Sequence, residues 1–184
     1  MLKNLDTLYT SLITERGLSA RNEQFEALSE IDQKKEIAFD ALHLVKLDLL
    51  KGSHSTYWGN SLLHIRNNCT TAAMLQEKLQ DLSNTCFVCA RGAVMLSTIR
   101  IGNTISPSGC SVSDGDENNI VGFTMAEMEE MEACYEGYNG YNGNTIYRMN
   151  STELLANILL EVLMTGTFVY TGIDYLKLAE QDDE

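Results

Sequence analysis

Cys86-Phe87-Val88-Cys89 is the most specific local feature of this 184-residue chain. Two thiols at this spacing can form a redox pair when the first turn of a helix lowers a thiol pKa, or can supply half of a zinc site. Redox chemistry of this kind normally sits on a βαβ scaffold, and no strand pattern is evident before Cys86. Zinc would need four ligands. His54, His64, Cys69 or Cys110 could complete a set with Cys86 and Cys89, but no second close-spaced pair fixes a geometry. The apolar surroundings favour buried structural thiols, with a zinc or thiol-redox protein as the alternative reading.

Other chemistry-bearing groups give weaker signals. Asp114, Asp116, Glu117 and Asn118 alternate like the start of a calcium loop, but the sixth place is Asn119 instead of Gly and the twelfth is Met125 instead of Glu. His43, His54 and His64 match no nucleophile–base arrangement. Gly137, Gly140 and Gly143 follow no strand and precede no Lys-Ser/Thr pair, so they make no phosphate loop. The expectation is a non-enzymatic protein without a cofactor.

Charge is the other unusual property. The net charge is −13. Residues 1–100 carry eleven acidic and eleven basic side chains, whereas residues 101–184 carry fifteen acidic ones against Arg148 and Lys177 alone. Direct nucleic-acid binding requires basic groups to neutralise phosphates, and an anionic membrane surface attracts the same sign, so both are excluded for the chain as a whole. An acidic half can simply solubilise the protein. Its functional reading is a docking face for a basic partner surface. The residues expected to make that face are Asp114, Asp116, Glu117, Glu129, Glu130 and Glu132. Tyr138 and Tyr141, in a Gly/Tyr/Asn loop, would be aromatic anchors.

The elements that must position these groups are helical. A chain of this length, with 44 % hydrophobic residues and one proline, Pro107, fits a single domain of long helices. Apolar spacing predicts helices over Leu2 to Arg16, Glu30 to Lys51 (capped by Ser29, ended by Gly52) and Thr70 to Leu82. A fourth is predicted over Cys86 to Ile101, apolar almost all round and therefore central. Gly92 in it implies close approach of a neighbouring helix. Thr124 with Glu127, and Asn150 with Glu153, are capping boxes that start a fifth and a sixth helix, the latter ended by Gly166. Phe168 to Leu178 reads as extended or as a last short helix. Residues 102–122 read as a loop long enough to suggest function. The stretch 137–148, with two Asn-Gly steps, suggests a minor hairpin. The whole is an all-α domain, residues 1–184, of about six helices around 86–101, with an acidic half at 101–184. No apolar run approaches the roughly 20 residues a membrane span needs, and the N-terminus lacks a secretory pattern, which implies a cytoplasmic protein.

The segment Cys86-Phe87-Val88-Cys89-Ala90-Arg91-Gly92-Ala93, followed by Met95-Leu96-Ser97, resembles the central helix of uncharacterised small proteins from phages and gut bacteria. The capped helix Phe123 to Glu136 and the helix Arg148 to Leu163, with Gly166-Thr167-Phe168 after it, extend that likeness over residues 86–168. The resemblance implies a mobile-element accessory protein and transfers no functional residue. By analogy of context it suggests an anti-CRISPR-type inhibitor that mimics nucleic acid and docks on a CRISPR effector or another nucleic-acid-binding protein. A structural or homo-oligomeric phage component is a further alternative.

Overall fold

A computed structural model describes residues 25, 27–102, 122–137 and 149–181. The described chain is mostly helical, with seven helices and one small sheet: α1 Glu30–Lys46, β1 Leu50–Gly52, α2 Asn60–Asn67, α3 Ala72–Gln80, β2 Cys86–Val88, α4 Ala90–Gly102, α5 Met125–Glu136, α6 Ser151–Thr165 and α7 Tyr175–Gln181. The expected all-α class with minor β is what forms. The expected helix at Leu2 to Arg16 and the hairpin at 137–148 lie outside the described residues. No described helix is long and apolar enough to cross a membrane.

Local signals set the helix starts. The Ser29 side chain accepts the Asp32 N–H at the start of α1. Thr124 with Glu127, and Asn150 with Glu153, form complete capping boxes. Each box satisfies N–H groups that a helix start leaves without partners. Gly137 and Gly166 close α5 and α6 in the left-handed conformation, at φ 76° and 81°. Residues 168–174 before α7 form no regular element and turn left-handed at Gly172 (φ 72°), and α7 is a short helix, so the helical reading of 168–178 holds for its second part.

Two expectations fail for tertiary reasons. The helix from Glu30 ends at Lys46, not Lys51, because Asp48 turns left-handed at φ 60° and Leu50–Gly52 becomes a strand. Asp is among the few non-glycine residues that tolerate that turn. The helix expected from Cys86 begins instead at Ala90, after a strand. In β2 Cys86 and Val88 are buried and Phe87 is exposed, the alternation of a strand. A short apolar run looks alike in either state by periodicity alone. The two strands are parallel, pairing Leu50 with Cys86, Lys51 with Phe87 and Gly52 with Val88, and α2 and α3 form the crossover.

Two helices share the centre of the molecule. Every residue from Gly92 to Arg100 of α4 is buried, and so is every residue from Leu154 to Leu163 of α6. The most extensive contact between elements is α1 on α6, followed by α1 on α4. A buried ion pair joins the latter two: Arg100 Nε donates to Asp40 Oδ2 at 2.8 Å, and a second Arg100 nitrogen approaches Leu79 O on the α3 side.

Gly92 is required by close approach, but of an irregular strap rather than a helix. A Cβ there would lie 1.9 Å from the Tyr57 carbonyl oxygen. The Trp58 indole N–H donates to the Gly92 carbonyl at 2.9 Å, and Cys89 N–H donates to Thr56 O at 2.6 Å. The strap between β1 and α2 therefore lies directly on the start of α4. Gly92→Ala is expected to cost about 3 kcal/mol, the upper end of ordinary overpacking. Trp58→Phe should cost about 1 kcal/mol through the lost hydrogen bond. Urea midpoints measure both, and an unchanged midpoint for Gly92→Ala would refute the close approach.

Candidate interaction surface

The α5 glutamates were expected to face outward together. The structure divides them among four neighbours. Glu127 accepts a hydrogen bond from Lys34 Nζ of α1 at 2.5 Å and another from the Thr167 hydroxyl, while its second oxygen accepts the Thr124 N–H at 2.8 Å. Burial alone would raise its pKa. The Lys34 hydrogen bond, the Thr124 N–H and the Thr167 hydroxyl outweigh that and bring it to about 2. Glu130 accepts the Tyr170 N–H at 3.2 Å. Glu132 pairs with Arg91 of α4. Glu136 accepts the Ser55 N–H with both oxygens, at 2.8 and 3.0 Å, and lies 3.5 Å from His54 Nδ1.

Of the three α5 residues expected in the partner-binding set, only Glu129 is exposed, and it has no hydrogen bond or ion pair among the described residues. Glu130 and Glu132 are half-buried and bind their own chain. Both therefore already spend hydrogen bonds within the fold. The physical reason is that α5 packs on α4 and α6 and carries acidic groups on nearly every face, so several must turn inward and find donors. Asp114, Asp116, Glu117, Tyr138 and Tyr141 lie outside the described residues.

Sequence reasoning missed the partners Lys34, Arg91, Ser55, His54 and the Tyr170 N–H. Arg91 offered one clue, as the only charge in the apolar run 86–96. A lone charge at such a position needs a counter-charge, but nothing local says which. Exposed carboxylates do occur near the start of α5. Glu30 and Asp32 are exposed on the first turn of α1. Gly122 packs so closely there that a Cβ would lie 2.9 Å from the Glu30 carbonyl oxygen.

The Cys86/Cys89 motif lacks the geometry of a chelating or redox pair. It runs along extended chain, which advances roughly 3.3 Å per residue and so separates the two Cα atoms by about 10 Å. A disulfide needs them within about 7 Å. Both thiols are buried. Burial pushes the Cys86 pKa up. Burial, aided by the Glu132 and Glu136 carboxylates and opposed by the Gly92 N–H, pushes Cys89 to about 11. Neither is a thiolate at neutral pH. Among the described residues no group of three or more His, Cys, Asp or Glu side chains is placed to hold a metal ion.

A shallow groove of about 610 Å³ opens between α2, α3 and the start of β2, where His64, Lys78, Asp81 and Cys86 meet. It holds one ammonium and one carboxylate on an apolar floor of Ile65 and Leu82. Burial raises the pKa of its one thiol, Cys86. Comparison of the chain with protein-family models, with curated proteins and with solved structures finds no match.

Two outcomes test the division of the glutamates. Glu132→Lys is expected to cost about 3 kcal/mol by setting a second cation against Arg91, whereas Glu129→Lys should stay within about 0.5 kcal/mol. Equal denaturation midpoints for the two would contradict it. Glu127 makes a pH-dependent contribution of definite sign. Its folded pKa lies below the ordinary value, so its stabilisation is complete above about 4.5 and lost as pH falls toward 2. Roughly 3 kcal/mol should disappear over that window, and Glu127→Gln should lack this part of the acid limb.

Proposed function

We propose that this chain is a non-enzymatic acidic binding protein that occupies a basic surface of a nucleic-acid-handling protein. The concrete form is a phage or mobile-element inhibitor of the anti-CRISPR kind, with carboxylates standing where phosphates would sit. The single observation that carries the reading is the charge excess of residues 101–184, fifteen acidic side chains against two basic ones. Among the described residues, pairing with Lys34 and Arg91 engages two of those carboxylates, Glu127 and Glu132. Surplus negative charge of this size accelerates and orients association with a cationic surface.

The contact residues in this reading are Asp114, Asp116, Glu117 and the exposed Glu129. Tyr138 and Tyr141 act as aromatic anchors. Glu130 and Glu132 serve the fold. Four described cysteines, Cys69, Cys86, Cys89 and Cys134, are free thiols, which suits action in the reducing cytosol of a host cell.

Capture from a host lysate at low and high salt, with duplex DNA as competitor, tests the proposal. Nucleic-acid-binding proteins should be retained at low salt and displaced by the DNA. The fourfold substitution Asp114→Lys, Asp116→Lys, Glu117→Lys and Glu129→Lys should weaken retention by more than about tenfold, since each lost charge pair near a surface is worth on the order of 1 kcal/mol. Retention that ignores both salt and the four substitutions would leave the acidic half as a solubilising surface only.

A further inference from the structure

Glu161 is an acidic side chain in the wrong place for one. It sits in the fully buried stretch of α6, 4 % exposed. Its Oε2 accepts the Thr171 hydroxyl at 2.8 Å, and the Tyr175 hydroxyl lies close by. Its Oε1 is buried without a hydrogen-bond partner. Among the described residues no Lys, Arg or His nitrogen lies within 4 Å of it. One turn earlier Asn157 grips the same segment, donating to Ile173 O at 2.9 Å and accepting the Tyr175 N–H at 2.8 Å. From α5, Glu130 accepts the neighbouring Tyr170 N–H at 3.2 Å. Two carboxyl groups and one amide thus hold residues 170–175, which lead into α7.

We propose that Glu161 is a pH-sensitive latch: protonated, it secures the C-terminal segment 168–181 on α6, and ionised, it loosens that segment. The charges around it define the sign. From α5 comes the Cys134 thiol, whose pKa burial raises with the aid of the Glu130 and Glu161 carboxylates, while Glu130 itself accepts the Tyr170 N–H. From the clamped segment come the Thr171 and Tyr175 hydroxyls, while Asp174 caps α7 by accepting the Lys177 N–H. From α1, the Lys35 stem packs beside Gly166, more than a turn further along, and Lys34 is paired with Glu127. The described charges of α4 and β1, Arg91, Arg100 and Lys51, are turned to Glu132, Asp40 and Asp48. Among the described residues an ionised Glu161 therefore meets no paired cation, with one oxygen dry.

Burial raises the Glu161 pKa above the ordinary carboxylate value, and the two hydroxyls only partly oppose it. A carboxyl shifted in this direction contributes stability that is complete below about 4.5 and lost as pH rises through the folded pKa. Opening would uncover Phe168 and Leu176, both buried in the closed form.

Hydrogen exchange of the full chain between pH 4 and 8, corrected for intrinsic rates, reads the latch directly. Protection of the amides of α7 should fall as pH rises, by up to about tenfold per pH unit as expected for one proton. The α4 amides should not follow it. Glu161→Gln should make α7 protection independent of pH. Should that variant misfold, Thr171→Val serves instead: removing a bond to the charged form moves the loss of protection to higher pH. Protection of α7 that does not vary with pH in the parent chain would overturn the proposal. So would the same variation in Glu161→Gln, or an unmoved transition in Thr171→Val.

Discussion

The carboxylate of Glu127 is the junction on which the tertiary arrangement depends. One side chain caps its own helix at Thr124, takes the ammonium of Lys34 on α1 and takes the Thr167 hydroxyl just past the end of α6. Three elements distant in sequence meet at two oxygen atoms. The ammonium also lies 5.5 Å above the centre of the Phe123 ring, so the pair is shielded as well as charged. A buried pair of this kind is costly to break because either partner alone would remain desolvated. It therefore fixes how α5 sits against α1 more firmly than apolar contact, which is not directional, could do.

The same logic runs along α5. Each inward carboxylate finds a donor on a different neighbour: a lysine on α1, an arginine on α4, a backbone N–H in the segment before α7 and another in the strap after β1. Negative charge that looks like surface decoration in the sequence is thereby used to orient a helix. The consequence for function is a narrower candidate surface, in which Glu129 remains the exposed acidic group of the expected α5 set. In the described ion pairs with α5, the first hundred residues contribute Lys34 and Arg91.

Packing around the small sheet decides the fate of the cysteines. β2 lies between β1 and the strap, whose residue Trp58 bridges to Val88. Extended chain is needed there to meet both neighbours, and it draws Cys86 and Cys89 apart. The strap then presses on Gly92, the one position in the first turn of α4 where the missing side chain admits a backbone carbonyl. Tyr135 closes the far side, its ring against His54 at 4.9 Å and its hydroxyl directed at Gly52. Burial rather than chemistry is what these thiols share.

Caps and stops were legible in the sequence because their partners lie within four residues. Thr124 reads with Glu127, Asn150 with Glu153, and Gly166 ends its helix by its own backbone freedom. Total charge and its skew between the halves were equally plain, being sums that no fold alters. Whether residues 86–88 are helix or strand was not legible, because the answer depends on pairing with Leu50–Gly52, thirty-six positions earlier. Nor was the direction each α5 glutamate faces. Glu127 and Glu132 are turned by cations 93 and 41 residues away. Local chemistry determines where a helix begins; only the packed neighbours determine which of its charges are left for anything else.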